Sequence, residues 1–294
     1  MNSIRLNRFT ITCGLALLLS QPLTRAEEAA ALPVKTGEKV AFLGDSITQF
    51  GWGSPLGYVR LIVSGLEANG VKVEPIPAGI SGHKSNDMLG RLDRDVLSKK
   101  PDWVTISCGV NDVWHGPNGV PLDAYKTNMT AIVDQAQAAK VKVMILTATM
   151  INEDAGNPNN QKLAAYNDFL RALAAEKKCL LADLNTQMQE AVATAVKAGG
   201  KPGKLLTGDG VHMNLDGNMM MATGVLKAFG LSQTQLDKAT EAWMDIPAGV
   251  PGSAKYSLTL REYRKLEKVA RDQKKSVGEY VDTELAKVLK DAVK

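Results

Sequence analysis

The stretch Lys39-Val40-Ala41-Phe42-Leu43-Gly44-Asp45-Ser46-Ile47-Thr48 decides the fold. Residues 40–43 form a short, unbroken apolar run, which suits a strand and is too brief for a helix. Gly44 ends the run and the polar pair Asp45-Ser46 follows at once. The same pattern recurs downstream. Apolar runs at 71–76, 103–107, 141–147 and 179–184 alternate with helical patterns at about 57–69, 85–98, 122–139, 160–177, 186–198 and 214–229. Such alternation marks βαβ units on a parallel sheet. The expected fold is therefore α/β, a three-layer α/β/α sandwich with a five-stranded parallel sheet. In open sheets of this kind ligands bind beyond the carboxyl ends of the strands. Polar clusters stand at several of those ends: Gly44-Asp45-Ser46, Ser81-Gly82-His83, Asn111-Asp112 and Asn152-Glu153-Asp154.

The chain has 294 residues, 45% hydrophobic and 22% charged, an ordinary globular composition that excludes disordered and fibrous classes. Its first 26 residues read as a secretory signal peptide. Arg5 and Arg8 precede an apolar run from Phe9 to Leu19, and Thr24-Arg25-Ala26 offers a cleavage site. The run falls short of the about 20 residues that cross a bilayer. Cys13 would leave with the signal, and the formal charge would drop from +4 to +1 as Arg5, Arg8 and Arg25 go. An exported protein, periplasmic or secreted, with no stable membrane insertion is expected. That charge, without a basic stripe interleaved with aromatics, gives no reason to expect a nucleic-acid partner. Cys108 and Cys179 lie in strand-like runs and read as buried free thiols in preference to a disulfide.

Residues 27–231 form the expected catalytic domain and 232–294 a C-terminal helical extension. A short helix at 232–243 leads into a linker holding Pro247, Gly249, Pro251 and Gly252. Beyond it, Leu260, Tyr263, Leu266 and Val269 repeat at helical spacing, as do Val277, Val281, Leu285, Val288 and Leu289. The expectation is a helical hairpin packed on the main domain. A membrane-facing, partner-binding or scaffolding role for these two stripes is the alternative.

Ser46 follows a strand and a glycine turn, so its hydroxyl can project from the sheet edge; in the competing reading Asp45 or Ser46 only caps the next helix. A serine hydroxyl needs a base to become a nucleophile. Of the three histidines, His212 lies in Asp209-Gly210-Val211-His212, where the carboxylate can reach the imidazole within one tight turn and fix its tautomer. Gly82 can offer a backbone N–H and Asn111 a side-chain amide to an oxyanion, although either residue can also be a simple turn former.

Gly44-Asp45-Ser46, Ile80-Ser81-Gly82, Gly109-Val110-Asn111-Asp112 and Asp209-Gly210-Val211-His212 resemble, in order, the four blocks of the SGNH, or GDSL-type, hydrolases. The resemblance implies a flavodoxin-like sandwich and a catalytic triad of Ser46, His212 and Asp209. It also implies an oxyanion hole from the N–H groups of Ser46 and Gly82 and the Asn111 amide. Asp45 and Asp112 would support the site, Asp112 by bracing the loop that holds Asn111. Two positions depart from the pattern: Ile47 stands where the family name has leucine, and Pro77 where many members carry asparagine. Trp52, Trp114 and His115 can line a substrate pocket or simply pack loops and face solvent, and His83 reads as a supporting or surface residue.

Other chemistries fail on spacing. There is no Gly-x-Ser-x-Gly elbow, Gly203-Lys204 is followed by Leu205 where a phosphate loop needs a hydroxyl, and no zinc-binding pattern occurs. No metal or cofactor is called for. The expected activity is hydrolysis of carboxylic esters through an acyl-enzyme, with a small ester or an acetylated carbohydrate as partner and deacetylation as the reaction. The alternatives are a lysophospholipase, thioesterase or short-chain aryl esterase, or a non-catalytic glycan-binding module on the same fold.

Overall fold

In the computed structural model, residues 32–249 and 257–292 are described. The segment read as a signal peptide lies outside them. Five strands form one parallel sheet in the order β2-β1-β3-β4-β5. They are β1 (Lys39–Gly44), β2 (Glu74–Gly79), β3 (Trp103–Ser107), β4 (Lys142–Leu146) and β5 (Leu180–Ala182). Of the three inner strands, β1 and β3 are almost wholly buried, as expected for strands covered on both faces. Each large side chain buried there, such as Phe42, Leu43 or Ile106, contributes about 1.5–3 kcal/mol.

Helices cover the sheet in two packed groups. One holds α2 (Tyr58–Ala68), α7 (Leu184–Lys197), α8 (Leu215–Ala228) and α9 (Gln233–Trp243); the other holds α3 (Ser85–Asp95), α5 (Leu122–Ala138) and α6 (Pro158–Glu176). Two further short helices, α1 (Ser46–Gly53) and α4 (Val110–Trp114), start directly after β1 and β3. Neither was expected from periodicity, because each is too short to show a repeating stripe and begins at the polar cluster itself.

The third strand falls at the expected residues, whereas the second is displaced. Val71 and Val73 had marked it as 71–76, but β2 runs Glu74–Gly79 and includes Pro75 and Pro77. It is one of the two edge strands, paired with β1, and its residues are mostly half-buried or exposed. An edge tolerates proline, and hydropathy locates it poorly. Cys108 is a buried free thiol as expected, but Cys179 is only half-buried.

After the sheet, α9 seats Leu236, Ala239 and Trp243 in the same core, with the Trp243 indole donating to the Leu61 carbonyl at 2.9 Å. A two-stranded antiparallel pair, β6 (Pro247–Gly249) and β7 (Ser257–Thr259), then introduces α10 (Leu260–Asp272) and α11 (Val277–Ala292). α10 is fastened: Leu260 and Ala270 are buried, Arg264 pairs with Asp216 of α8, and Arg261 pairs with Glu241 of α9. α11 is different. It buries none of its residues, and Leu285, Val288 and Leu289 are exposed. The expectation of a hairpin packed on the main domain therefore holds for its first helix alone. α11 packs against α10, which leaves most of its stripe without a surface to cover.

Candidate active site

The chain passes from β1 to β2 on one side and then returns to place β3 on the other side of β1. A crevice forms at such a switch point, beyond the carboxyl ends of the two strands. Ser46 follows β1 there and Asn111 follows β3.

Ser46 is the first residue of α1. Asp45 is the cap: its Oδ1 accepts from the Ile47 N–H at 2.9 Å, so the serine hydroxyl is not consumed in capping. A Cβ on Gly44 would lie 1.9 Å from Thr48 Oγ1, so glycine is what lets the helix start this close to the strand. Burial raises the Asp45 carboxyl to about 6; the Ile47 N–H and His212 oppose the rise and the nearby Asp112 adds to it. Among the described residues, neither the Ser46 nor the Gly82 N–H donates to a protein acceptor.

His212 Nε2 lies 2.9 Å from Ser46 Oγ, and His212 Nδ1 lies 2.6 Å from Asp209 Oδ2. Asp209 Oδ1 accepts from the Val211 and His212 N–H groups at 3.0 and 2.8 Å. Burial would raise the Asp209 carboxyl, but these hydrogen bonds outweigh it and hold the group at about 2. The turn between them needs Gly210, whose φ is +96° and whose Cβ would sit 2.4 Å from Asn152 Oδ1.

A buried carboxylate fixes this loop. Glu153 accepts from the N–H groups of Gly203, Leu205, Leu206 and Thr207 and from Thr207 Oγ1, all within 2.9 Å. Those donors outweigh its desolvation and lower its pKa, so the charge is kept. The Asn152 N–H meets the Gly210 carbonyl at 2.7 Å beside it.

The Asn111 amide donates to the His83 carbonyl at 3.1 Å and more loosely to Asp45 Oδ2 at 3.4 Å. Its oxygen faces His115 Nε2 at 3.2 Å. Asp112 accepts from the N–H and hydroxyl of Ser85 and so ties the start of α3 to this loop. Arg91, buried to 3% exposure, donates to the carbonyls of Gly44 and Ala78 and to His83 Nδ1, joining the ends of β1 and β2. His83 thus serves as a support, through its ring and its carbonyl.

Sequence reasoning passed over Arg91 and placed Glu153 only in a polar cluster. Arg91 carries no local signal, being one basic residue on an amphipathic helix. Trp52 carries the Arg60 guanidinium 3.6 Å over its ring and lines a separate cavity with Val63, Pro75 and Ile246. Trp114 and His115 are exposed, His115 reaching the site through Asn111. The Phe50 ring, unremarked in sequence, lies 5.0 Å from the His212 ring. Among the described residues, no group of three or more His, Cys, Asp or Glu is placed to hold a metal ion.

Residues 42–220 match the model of the GDSL-like lipase/acylhydrolase family. The chain belongs to this family. As a GDSL-like acylhydrolase it is a serine carboxylic ester hydrolase. It is similar to an acetyl xylan esterase of known structure, with 35% identity and a TM-score of 0.61 over 65% of this chain and 98% of the other. It is 29% identical over 220 residues to an acetylxylan esterase of Geobacillus stearothermophilus, covering 68% of this chain and 97% of that one. Over 170 residues it is 29% identical to the esterase TesA of Pseudomonas aeruginosa, covering 56% and 78% of the two chains. The GDSL-like match ends at residue 220, before α9, the β6–β7 pair and the last two helices.

Proposed function

We propose that this hydrolase removes acetyl groups from a carbohydrate, with Ser46 as nucleophile, His212 as general base and Asp209 orienting the imidazole. The carrying observation is the unbroken chain of contacts from Asp209 Oδ2 through the imidazole to Ser46 Oγ, at 2.6 and 2.9 Å. With its Nδ1–H committed to Asp209, the ring presents a bare Nε2 to the serine.

Ser46 Oγ attacks the ester carbonyl as Nε2 takes its proton. The carbonyl oxygen becomes an oxyanion held by the N–H groups of Ser46 and Gly82 and by the Asn111 amide, whose long contact to Asp45 is the one it can exchange. Each such donor contributes a factor of about 10²–10³. Collapse breaks the bond to the alcohol oxygen, which leaves with the proton from His212. Water, deprotonated by the same nitrogen, then attacks the acyl-enzyme, and Ser46 departs reprotonated.

The acetyl and sugar parts of the reading are supported by relatives matched over nearly their whole length, which are named for acetyl xylan. Export rests on Arg5, Arg8 and the apolar run after them. Periplasmic or secreted protein with Glu27 at its N terminus is the expected form, and an intact Met1 on envelope-fraction material refutes it. A fluorophosphonate probe should label the wild type and leave Ser46→Ala unlabelled; persistent labelling means another nucleophile. Among p-nitrophenyl esters, acetyl should be preferred to butyryl and octanoyl, and an octanoyl preference would return the assignment to the lipid or thioester class.

A further inference from the structure

A cleft of about 270 Å³ opens beside the catalytic histidine. Phe50, whose ring lies against His212, and Met213, the next residue after it, form its inner side. Leu56 and Ser54 continue it. The outer wall comes from beyond the family match: Ala248 of β6 and Tyr263 of α10.

The direction of the reaction says what enters. The oxyanion donors Gly82 and Asn111 follow the ends of β2 and β3, the two strands that flank β1, and His212 comes from the loop before α8. The leaving alcohol takes its proton from His212 Nε2, so it must lie on the histidine side. That is the side of the cleft.

Its lining has a definite chemistry. The Asn214 and Asn218 amides that also line it are occupied by backbone partners, Asn218 accepting from the Tyr58 N–H and Asn214 from Gly217. The hydroxyls of Ser54 and Tyr263 make no hydrogen bond among the described residues. Two aromatic rings, apolar side chains and two open hydroxyls suit a ligand with an apolar ring face and a hydroxylated rim. Just below the roughly 300–1,000 Å³ range of clefts that take drug-sized ligands, the space suits a single ring.

Resting on the carbohydrate reading above, we infer that this cleft is the leaving-group subsite for one pyranose ring, and that Tyr263 and Ala248 of the C-terminal segment set its specificity. The segment is thus part of the substrate site. Its fastening explains how a remote helix can do this: Arg264, next to Tyr263, pairs with Asp216 on the first turn of α8.

The test compares two acetate esters, methyl acetate, whose alcohol is too small to fill the cleft, and a peracetylated xylopyranose. Tyr263→Ala should lower the ratio of kcat/KM for the pyranose ester to that for methyl acetate about tenfold, mainly through KM. Tyr263→Phe should lower it about two- to threefold. If Tyr263→Ala does not fold, Ala248→Leu, which fills the cleft from β6, carries the same tenfold expectation. An unchanged ratio, or an equal fall on both esters, overturns the subsite while leaving the deacetylase reading intact. A wild type that hydrolyses methyl acetate but not the pyranose ester overturns the carbohydrate reading, and the subsite with it.

Discussion

Ser46 and His212 meet at 2.9 Å but come from regions built in opposite ways. The serine continues a buried central strand, on a helix start that tolerates only glycine behind it, and Arg91 joins the neighbouring strand ends. The histidine stands on a surface loop with an exposed aspartate, held from below by one carboxylate with five donors. The nucleophile is placed by the fold as a whole, whereas the base is placed by a few polar contacts. Lesions on the base side should therefore separate activity from stability, and those on the serine side should couple to the core.

The largest separation is expected from Asp209→Asn. Oδ1 of the asparagine would keep the Val211 and His212 N–H groups and turn its NH₂ toward His212 Nδ1. The ring would then carry its proton on Nε2, facing a serine it can no longer deprotonate. A kcat loss of about 10⁴ is expected with Tm almost unchanged; a comparable fall in Tm would show that the loop is not independent. Glu153→Gln comes next, since one half of the amide would point its own hydrogens at the Gly203 and Leu205 N–H groups. Loss of about 3 kcal/mol, or roughly 10 °C in Tm, is expected with about 10² in kcat, read by calorimetry and steady-state rates.

The smallest effect is in pH dependence, where the two regions respond with opposite sign. Asp45 has a folded pKa of about 6 against 3.8. Its contribution is therefore full below about 4 and lost as pH rises through about 6. Glu153 is lowered below its ordinary 4.5, so its contribution is present above that value and lost as pH falls below it. Asp45→Asn should flatten urea-derived stability between pH 4 and 6 while leaving the loss at lower pH in place. A slope that persists between pH 4 and 6 assigns that titration to another group.

The triad and its surroundings were legible unevenly. Ser46, Asp209 and His212 announce themselves because serine after a strand, and a carboxylate within one turn of a histidine, are local patterns. The sheet was legible where strands are buried on both sides, as in β3, and misread at the proline-bearing edge. Arg91 and Glu153 were not legible in role because their partners lie 47 and about 50 residues away, at Gly44 and in the 203–207 segment. Such contacts exist only once the strands have taken their order. The C-terminal stripes were legible as helices, but hydropathy alone does not say that one is fastened and the other bare.

Starting α1 at Ser46 has an electrostatic consequence. The peptide dipoles of a helix sum to roughly half a positive elementary charge at its first turn. An oxyanion formed on a carbonyl carbon bonded to Ser46 arises beside that end, so α1 supplies a field along with one N–H. Asp45, at the same end, cancels part of that field when ionised. As the pH falls toward the value near 6 to which burial has raised this carboxyl, less of the field is cancelled.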